Sequence, residues 1–245
     1  MMNLLLTVLS VVLLRLFHPG VVVFSLLAMM AFVGFFMALM NGIPHTMGGV
    51  SNDGNNLWLL WRKPAERRFF VRSLQIVGQM NRGRRISELP RAWVEDCPVD
   101  AHSDFFVLSN RGIYMMLLED EGRYDEARQV AEELMSLGKK LPQLLHMETG
   151  GERVMLELLT SRRRDVVAEL WTKPLARYTV ASSKYSPVKN AVLYAYELLY
   201  NHDAAKAEEW RLQFERCKDD FAIPGETLLA AKLMADVSLA RSSGV

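Results

Sequence analysis

Val21 to Met40 is an unbroken run of 20 uncharged residues, VVVFSLLAMMAFVGFFMALM, and it limits what the chain can fold into more than any other feature. A helix rises about 1.5 Å per residue, so the run matches the roughly 30 Å hydrocarbon core of a bilayer. Lipid offers the backbone no hydrogen-bond partner, which forces such a segment to be helical. The run predicts a transmembrane helix.

Leu4 to Phe17, LLLTVLSVVLLRLF, is a shorter apolar stretch with Arg15 near its end. Taken alone it also fits an interfacial or signal-like segment, but Met1-Met2-Asn3 supplies none of the basic side chains of a signal peptide. His18-Pro19-Gly20 is a turn signal between the two runs, with Pro19 suited to open the second helix. The pair reads as a membrane hairpin whose Arg15 reaches toward the turn side.

Charge divides the rest. The whole chain has a net charge of +1, yet residues 1–40 hold a single formal charge, Arg15. The near-neutral balance argues against a basic nucleic-acid binder, and no nucleic-acid partner is expected. The apolar content excludes a disordered chain, and only two cysteines, Cys97 and Cys217, exclude a disulfide-stapled one. They lie far apart without a CxxC or Cys/His cluster and read as reduced thiols. Residues 61–91 carry nine basic side chains against Glu66 and Glu88. By the positive-inside rule this flank places the C-terminal region in the cytoplasm, and the same arginines suit anionic headgroups of the lipid bilayer. Residues 92–134 then hold eleven acidic side chains against Arg111, Arg123 and Arg128. Two readings stay open there: a tail folded back on the basic helix, or a solvated acidic face.

The string FFMALMNGIPHTMGGVSNDGNNLW follows from the second apolar run. It resembles the site-2 proteases, intramembrane zinc metallopeptidases in which a transmembrane helix leads into Asn-x-x-Pro and a later Asp-Gly. The resemblance implies that Asp53 is an aspartate ligand to zinc, with Asn41 and Pro44 shaping the approach and Gly54 allowing the turn. Asn3-Leu4-Leu5-Leu6 is similar to the tail of that family's Gly-Pro-x-x-Asn segment. Together these motifs cover about residues 3–60. The departure is as informative. Such a peptidase needs His-Glu-x-x-His, two imidazoles one helical turn apart with a glutamate beside the metal-bound water. None of His18, His45, His102, His146 and His202 begins that pattern. The zinc site is therefore incomplete in this chain, which is not expected to be a peptidase by itself. Three explanations stand: a C-terminal portion whose N-terminal protease half is missing, a non-catalytic descendant, or a start placed too late in the reading frame. His45 is an alternative ligand by its position. Without the resemblance, Asp53-Gly54 reads as an N-cap and tight turn.

Beyond residue 64 the pattern is helical. Pro64 opens a helix through Met80, residues 81–101 read as a linker or irregular connection, and a final helix runs from Gly225 or Glu226 to about Ala240. Glu121-Gly122-Arg123-Tyr124-Asp125-Glu126-Ala127 is similar to the inter-helix turn of a tetratricopeptide repeat, and Ala168 and Ala207 are the analogous small positions, at intervals of 41 and 39 residues. Tyr194, Tyr196 and Tyr200 read as packing, Met115-Met116 as core filler, and Gly48-Gly49 as a loop without the Lys-Ser/Thr of a phosphate loop.

The expected fold class is all-α: an N-terminal transmembrane helical hairpin with the Asp-Gly segment (1–60), a basic juxtamembrane helix and linker (61–100), and a cytoplasmic, solenoid-like array of α-helical hairpins (101–245). Two functions follow. One is the C-terminal half of a site-2-protease-like enzyme. The other is a membrane-anchored adaptor that binds a protein partner through its helical repeats, and a lipid-responsive basic helix at 64–80 is a third, lesser reading.

Overall fold

The two apolar runs become α1 (Met2–Phe17) and α2 (Val21–Gly42) in the computed structural model, which describes residues 2–47, 50–94, 99–100 and 103–242. Among the described residues, α2 is the one helix long and apolar enough to cross a membrane. The 16 residues of α1 span only about 24 Å. Large apolar side chains on both helices stay uncovered, Val21 at 83% and Phe32 at 70% exposure, and the buried positions are the small residues Ser10 and Gly34. The two helices meet closely at the small residue Gly34. A Cβ there would lie 2.6 Å from Thr7 Oγ1 and 2.9 Å from the Asn3 carbonyl oxygen. The turn between them is left-handed at His18, and Gly20 caps α2, so Pro19 precedes the helix instead of opening it.

After α2 a two-residue antiparallel ladder pairs Thr46 with Ser51 and Met47 with Val50, and α3 (Asp53–Arg62) follows. The Gly48-Gly49 loop lies outside the described residues, as do Cys97 and His102.

Backbone contacts divide the chain into two compact units, residues 1–64 and 65–245. The second unit is helical throughout its described elements: α4 (Pro64–Met80), α5 (Phe105–Asp120), α6 (Tyr124–Ser136), α7 (Gln143–Leu159), α8 (Arg164–Leu170), α9 (Lys173–Ser182), α10 (Pro187–Ala195), α11 (Ala204–Cys217) and α12 (Pro224–Ser242). A π-helical turn, Tyr196–Tyr200, extends α10. The last helix begins within two residues of the expected start and ends two residues beyond the expected end.

Residues 81–94 are not a free connection. Short 3₁₀ turns at Ile86–Glu88 and Arg91–Trp93 put Ile86, Leu89 and Val94 into a core with Ile76, Met80 and Leu117. Arg85 reaches Asp120 at 2.5 Å, the Ser87 amide donates to the same carboxylate at 3.0 Å, and Arg91 pairs with Glu121. The connection after α4 is thus tied to the acidic segment through Arg85 and Arg91.

Three turns inside this unit share one construction. Gly122, Arg162 and His202 each adopt positive φ, at 76°, 54° and 56°. Two residues after each, α6, α8 and α11 begin, and five residues after each a small or branched side chain is fully packed: Ala127, Val167 and Ala207. The spacing is therefore 40 residues at both steps. Ala168, expected to be the packed position of the middle turn, is exposed, and its neighbour Val167 packs instead. The aromatic helix end packs as expected, with Tyr196 stacked on Trp171 at 4.3 Å and on Tyr200 at 5.0 Å, while Tyr194 shares a 2.8 Å hydrogen bond with Ser238. Met115 is buried.

Charge is also buried here. Lys189 of α10 is fully enclosed and reaches Glu148 at 2.6 Å and Glu152 at 3.2 Å, both on α7. Burial alone would lower its pKa, but Glu152 and Glu148 outweigh burial and raise it. The cost appears on Glu226 of α12, whose pKa burial and the charges of Glu152 and Glu148 push up to about 7. Glu157 goes the other way: burial raises it, but hydrogen bonds from Arg163 and Arg153 prevail and hold it down at about 2. These opposite shifts predict opposite pH effects. A carboxyl raised in the folded state opposes folding increasingly as pH climbs from its unfolded value through 7, so Glu226→Gln stabilises the chain by roughly 2 kcal/mol at about pH 8 and hardly at about pH 4. A depressed carboxyl contributes stability above its ordinary range that is lost as pH falls toward 2, so Glu157→Gln destabilises at neutral pH and progressively less in acid. Thermal unfolding of the detergent-solubilised chain across pH measures both.

Candidate functional site

The Asp-Gly segment is placed by one side chain that the sequence pattern did not single out. Asn52 caps α3, its Oδ1 accepting from the Asn55 amide at 2.9 Å and from the His45 amide at 3.1 Å. Its Nδ2 donates to the Met40 and Ile43 carbonyls, each at 2.7 Å. Met40 lies in the last turn of α2, where carbonyls have no intrahelical partner. A single amide therefore satisfies the end of α2 and the beginning of α3, using two donors and two acceptor positions. Aspartate in the same place has no hydrogen to give either carbonyl.

Asp53 is therefore not the N-cap, the role it takes in the reading without the family resemblance. It is the first residue of α3, exposed, where a carboxylate also suits the positive end of the helix dipole. Gly54 sits directly against α2: a Cβ there would run into the Gly42 carbonyl and come within 3.0 Å of the Asn41 carbonyl oxygen. The glycine is required by close approach and not by an unusual φ.

These contacts make one wall of a cavity of about 1060 Å³ inside the first unit. Asn3, Asn41, Pro44, Asp53 and Gly54 all line it, together with Leu57, Trp58 and Trp61. The Asn-x-x-Pro and Asp-Gly motifs and the N-terminal asparagine, scattered over 50 positions of sequence, therefore face one space. His45, the alternative ligand, does not line it: its Nδ1 lies 3.0 Å from the Ile43 carbonyl and 3.0 Å from Asn52 Nδ2, inside the corner itself.

The donor set limits what this wall can hold. Catalytic zinc takes three protein ligands from imidazole, thiolate or carboxylate. Asp53 is one carboxylate and its polar neighbours Asn3 and Asn41 are amides, so these residues do not fit zinc by themselves. Among the described residues no group of three or more His, Cys, Asp and Glu side chains is arranged to hold a metal ion. The aromatic rim was also missed by motif reading. Trp58 and Trp61 meet edge to face at 5.8 Å, and the Arg62 guanidinium lies over both rings, at 4.5 and 5.7 Å.

Comparison with family models, with curated proteins and with solved structures finds no match to this chain.

The corner makes a discriminating prediction. Asn52→Ala removes a cap and two carbonyl partners and costs about 2–4 kcal/mol of local stability. Asn52→Asp keeps the cap but not the donors, and it is expected to cost nearly as much. Hydrogen exchange of the amides from Asn55 to Trp61 reads both, and an Asn52→Asp chain as protected as the parent would show that capping alone holds α3.

Proposed function

We propose that this chain is a membrane protein resembling the C-terminal portion of a site-2 protease, inactive alone and completed by a separate helix bearing His-Glu-x-x-His. The observation that supports this reading is the convergence of Asn3, Asn41, Pro44, Asp53 and Gly54 on a single cavity. In the completed enzyme the added helix supplies the two imidazoles and the general base, and Asp53 supplies a carboxylate; zinc would polarise the scissile carbonyl and activate water for its attack.

On this reading α1 and α2 form a transmembrane hairpin, which accounts for apolar side chains left uncovered in water. Trp58, Trp61 and Arg62 then occupy the headgroup region as amphipathic anchors, and the arginines of α4 hold the second unit in the cytoplasm. A fluorescent-protein fusion after Val245 is expected to glow in intact cells and a phosphatase fusion there to be inactive. The reverse pattern would contradict the orientation.

The activity test is co-expression with a membrane segment that carries the missing helix, followed by cleavage of a transmembrane substrate. Cleavage is expected only with both polypeptides present, and Asp53→Ala is expected to reduce it by about 100-fold or more. Cleavage by this chain alone, or undiminished cleavage without Asp53, would refute the reading.

A second reading rests on a different observation, the 40-residue spacing of the left-handed turns and the helices after them. Such a period is that of a short stack of helix pairs, tetratricopeptide-like in its first turn, which presents a surface to a protein partner. An adaptor of this kind keeps its cellular effect in an Asp53→Ala chain, whereas the protease portion loses it.

A further inference from the structure

A second, smaller cavity of about 370 Å³ lies in the helical unit, where the α7–α8 turn meets the end of the π-helical extension of α10 and the last turn of α12. Its polar wall is Arg162, Arg164, Arg241 and His202, and its apolar floor includes Leu158 and Leu198. We propose that this pocket binds a phosphate group, carried by a small phosphorylated molecule or by a lipid headgroup.

Two of the arginines are held in place by neutral groups. Arg162 donates to the Ala240 carbonyl at 2.9 Å. Arg164 donates to the Tyr200 carbonyl at 2.9 Å and to His202 Nε2 at 3.2 Å, and lies over the Tyr200 ring at 4.4 Å. A guanidinium has five N–H donors, so each keeps hydrogens to spare. Arginine can only donate, so His202 Nε2 accepts in this contact.

No carboxylate pairs with Arg162, Arg164 or Arg241 among the described residues. The contrast with nearby arginines is sharp. Arg163, between two of them in sequence, is held by Glu157 and Glu132, and Arg153 pairs with the same two glutamates. Glu197, on the same helix end, is engaged by Asn201 at 2.7 Å and does not line the cavity. Three cations gathered around one small space repel each other unless an anion joins them. Planar guanidinium forks match the oxygens of phosphate in pairs, which favours that group over a single carboxylate.

The backbone adds an independent sign. At the equivalent point of the first turn the chain has Gly122, which adopts positive φ without strain. The second and third turns place Arg162 and His202 in that strained conformation, and both side chains line this pocket. Strain retained where glycine would relieve it marks side chains kept for what they contact.

The test is calorimetric titration of the detergent-solubilised full chain with inorganic phosphate. Saturable binding is expected, weakened about tenfold or more in Arg162→Gly, Arg164→Gln and Arg241→Gln. Arg162→Gly also relaxes the turn, so its Tm is expected to hold or rise while affinity falls, which a loss of fold would not produce. Arg211→Gln, whose arginine pairs with Glu208 outside the pocket, is expected to leave affinity unchanged. Repeating the titration in phosphatidylcholine nanodiscs with and without phosphatidic acid separates the sources: competition by phosphatidic acid identifies a headgroup, and its absence a soluble phosphate. No saturable phosphate binding, or binding indifferent to Arg162→Gly and Arg164→Gln, would overturn the proposal.

Discussion

The side-chain amide of Asn52 makes four hydrogen bonds at once, two to carbonyls where α2 ends, one from the His45 amide just after it and one from the Asn55 amide in the first turn of α3. Each is worth about 1 kcal/mol net, but the greater effect is what their loss would leave: helix-end carbonyls and amides with no partner. Everything at the candidate site depends on this tie. It turns the chain sharply enough that Gly54 touches Gly42, and it takes the capping role that Asp53 would otherwise fill. Freed from capping, Asp53 lines the cavity with Asn3 and Asn41.

The second unit solves a different problem. Its helices bury a lysine and several glutamates as well as apolar side chains, and the ion pairs of Lys189 with Glu148 and Glu152 tie α10 to α7. Buried pairs recover their desolvation cost only when every member is satisfied. Beside them, burial and the charges of Glu152 and Glu148 push the Glu226 carboxyl up to about 7. The repeated left-handed turns at Gly122, Arg162 and His202 set the directions of α6, α8 and α11, and so decide which side chains meet in this core.

Much of this was legible from residue pattern. The uncharged length of Val21 to Met40 marks a helix long and apolar enough to cross a membrane, and the apolar periodicity after Pro64 marks helices whose ends the structure moves by only a residue or two. Ala127 and Ala207 read correctly as close-packing positions, whereas Ala168 did not, because small size and burial part company where a branched neighbour, Val167, faces inward. Asn52 was illegible for a related reason. In Ser51-Asn52-Asp53 each residue is a good cap, and choosing between them requires knowing that two carbonyls wait across the turn. The basic pocket was invisible for a plainer one: Arg162, Arg164, His202 and Arg241 span 80 positions and meet only through helix packing.

The same separation bears on Asp53. One carboxylate on a wall of amides supplies a single metal ligand, so the account holds that zinc comes only when a second segment brings its imidazoles to this cavity. Zinc content of the purified full chain, measured alone and after co-expression with a membrane segment bearing His-Glu-x-x-His, tests that directly. The account predicts well under one zinc per chain in the first case, and one zinc per complex, dependent on Asp53, in the second. Tightly bound stoichiometric zinc in this chain alone would contradict it.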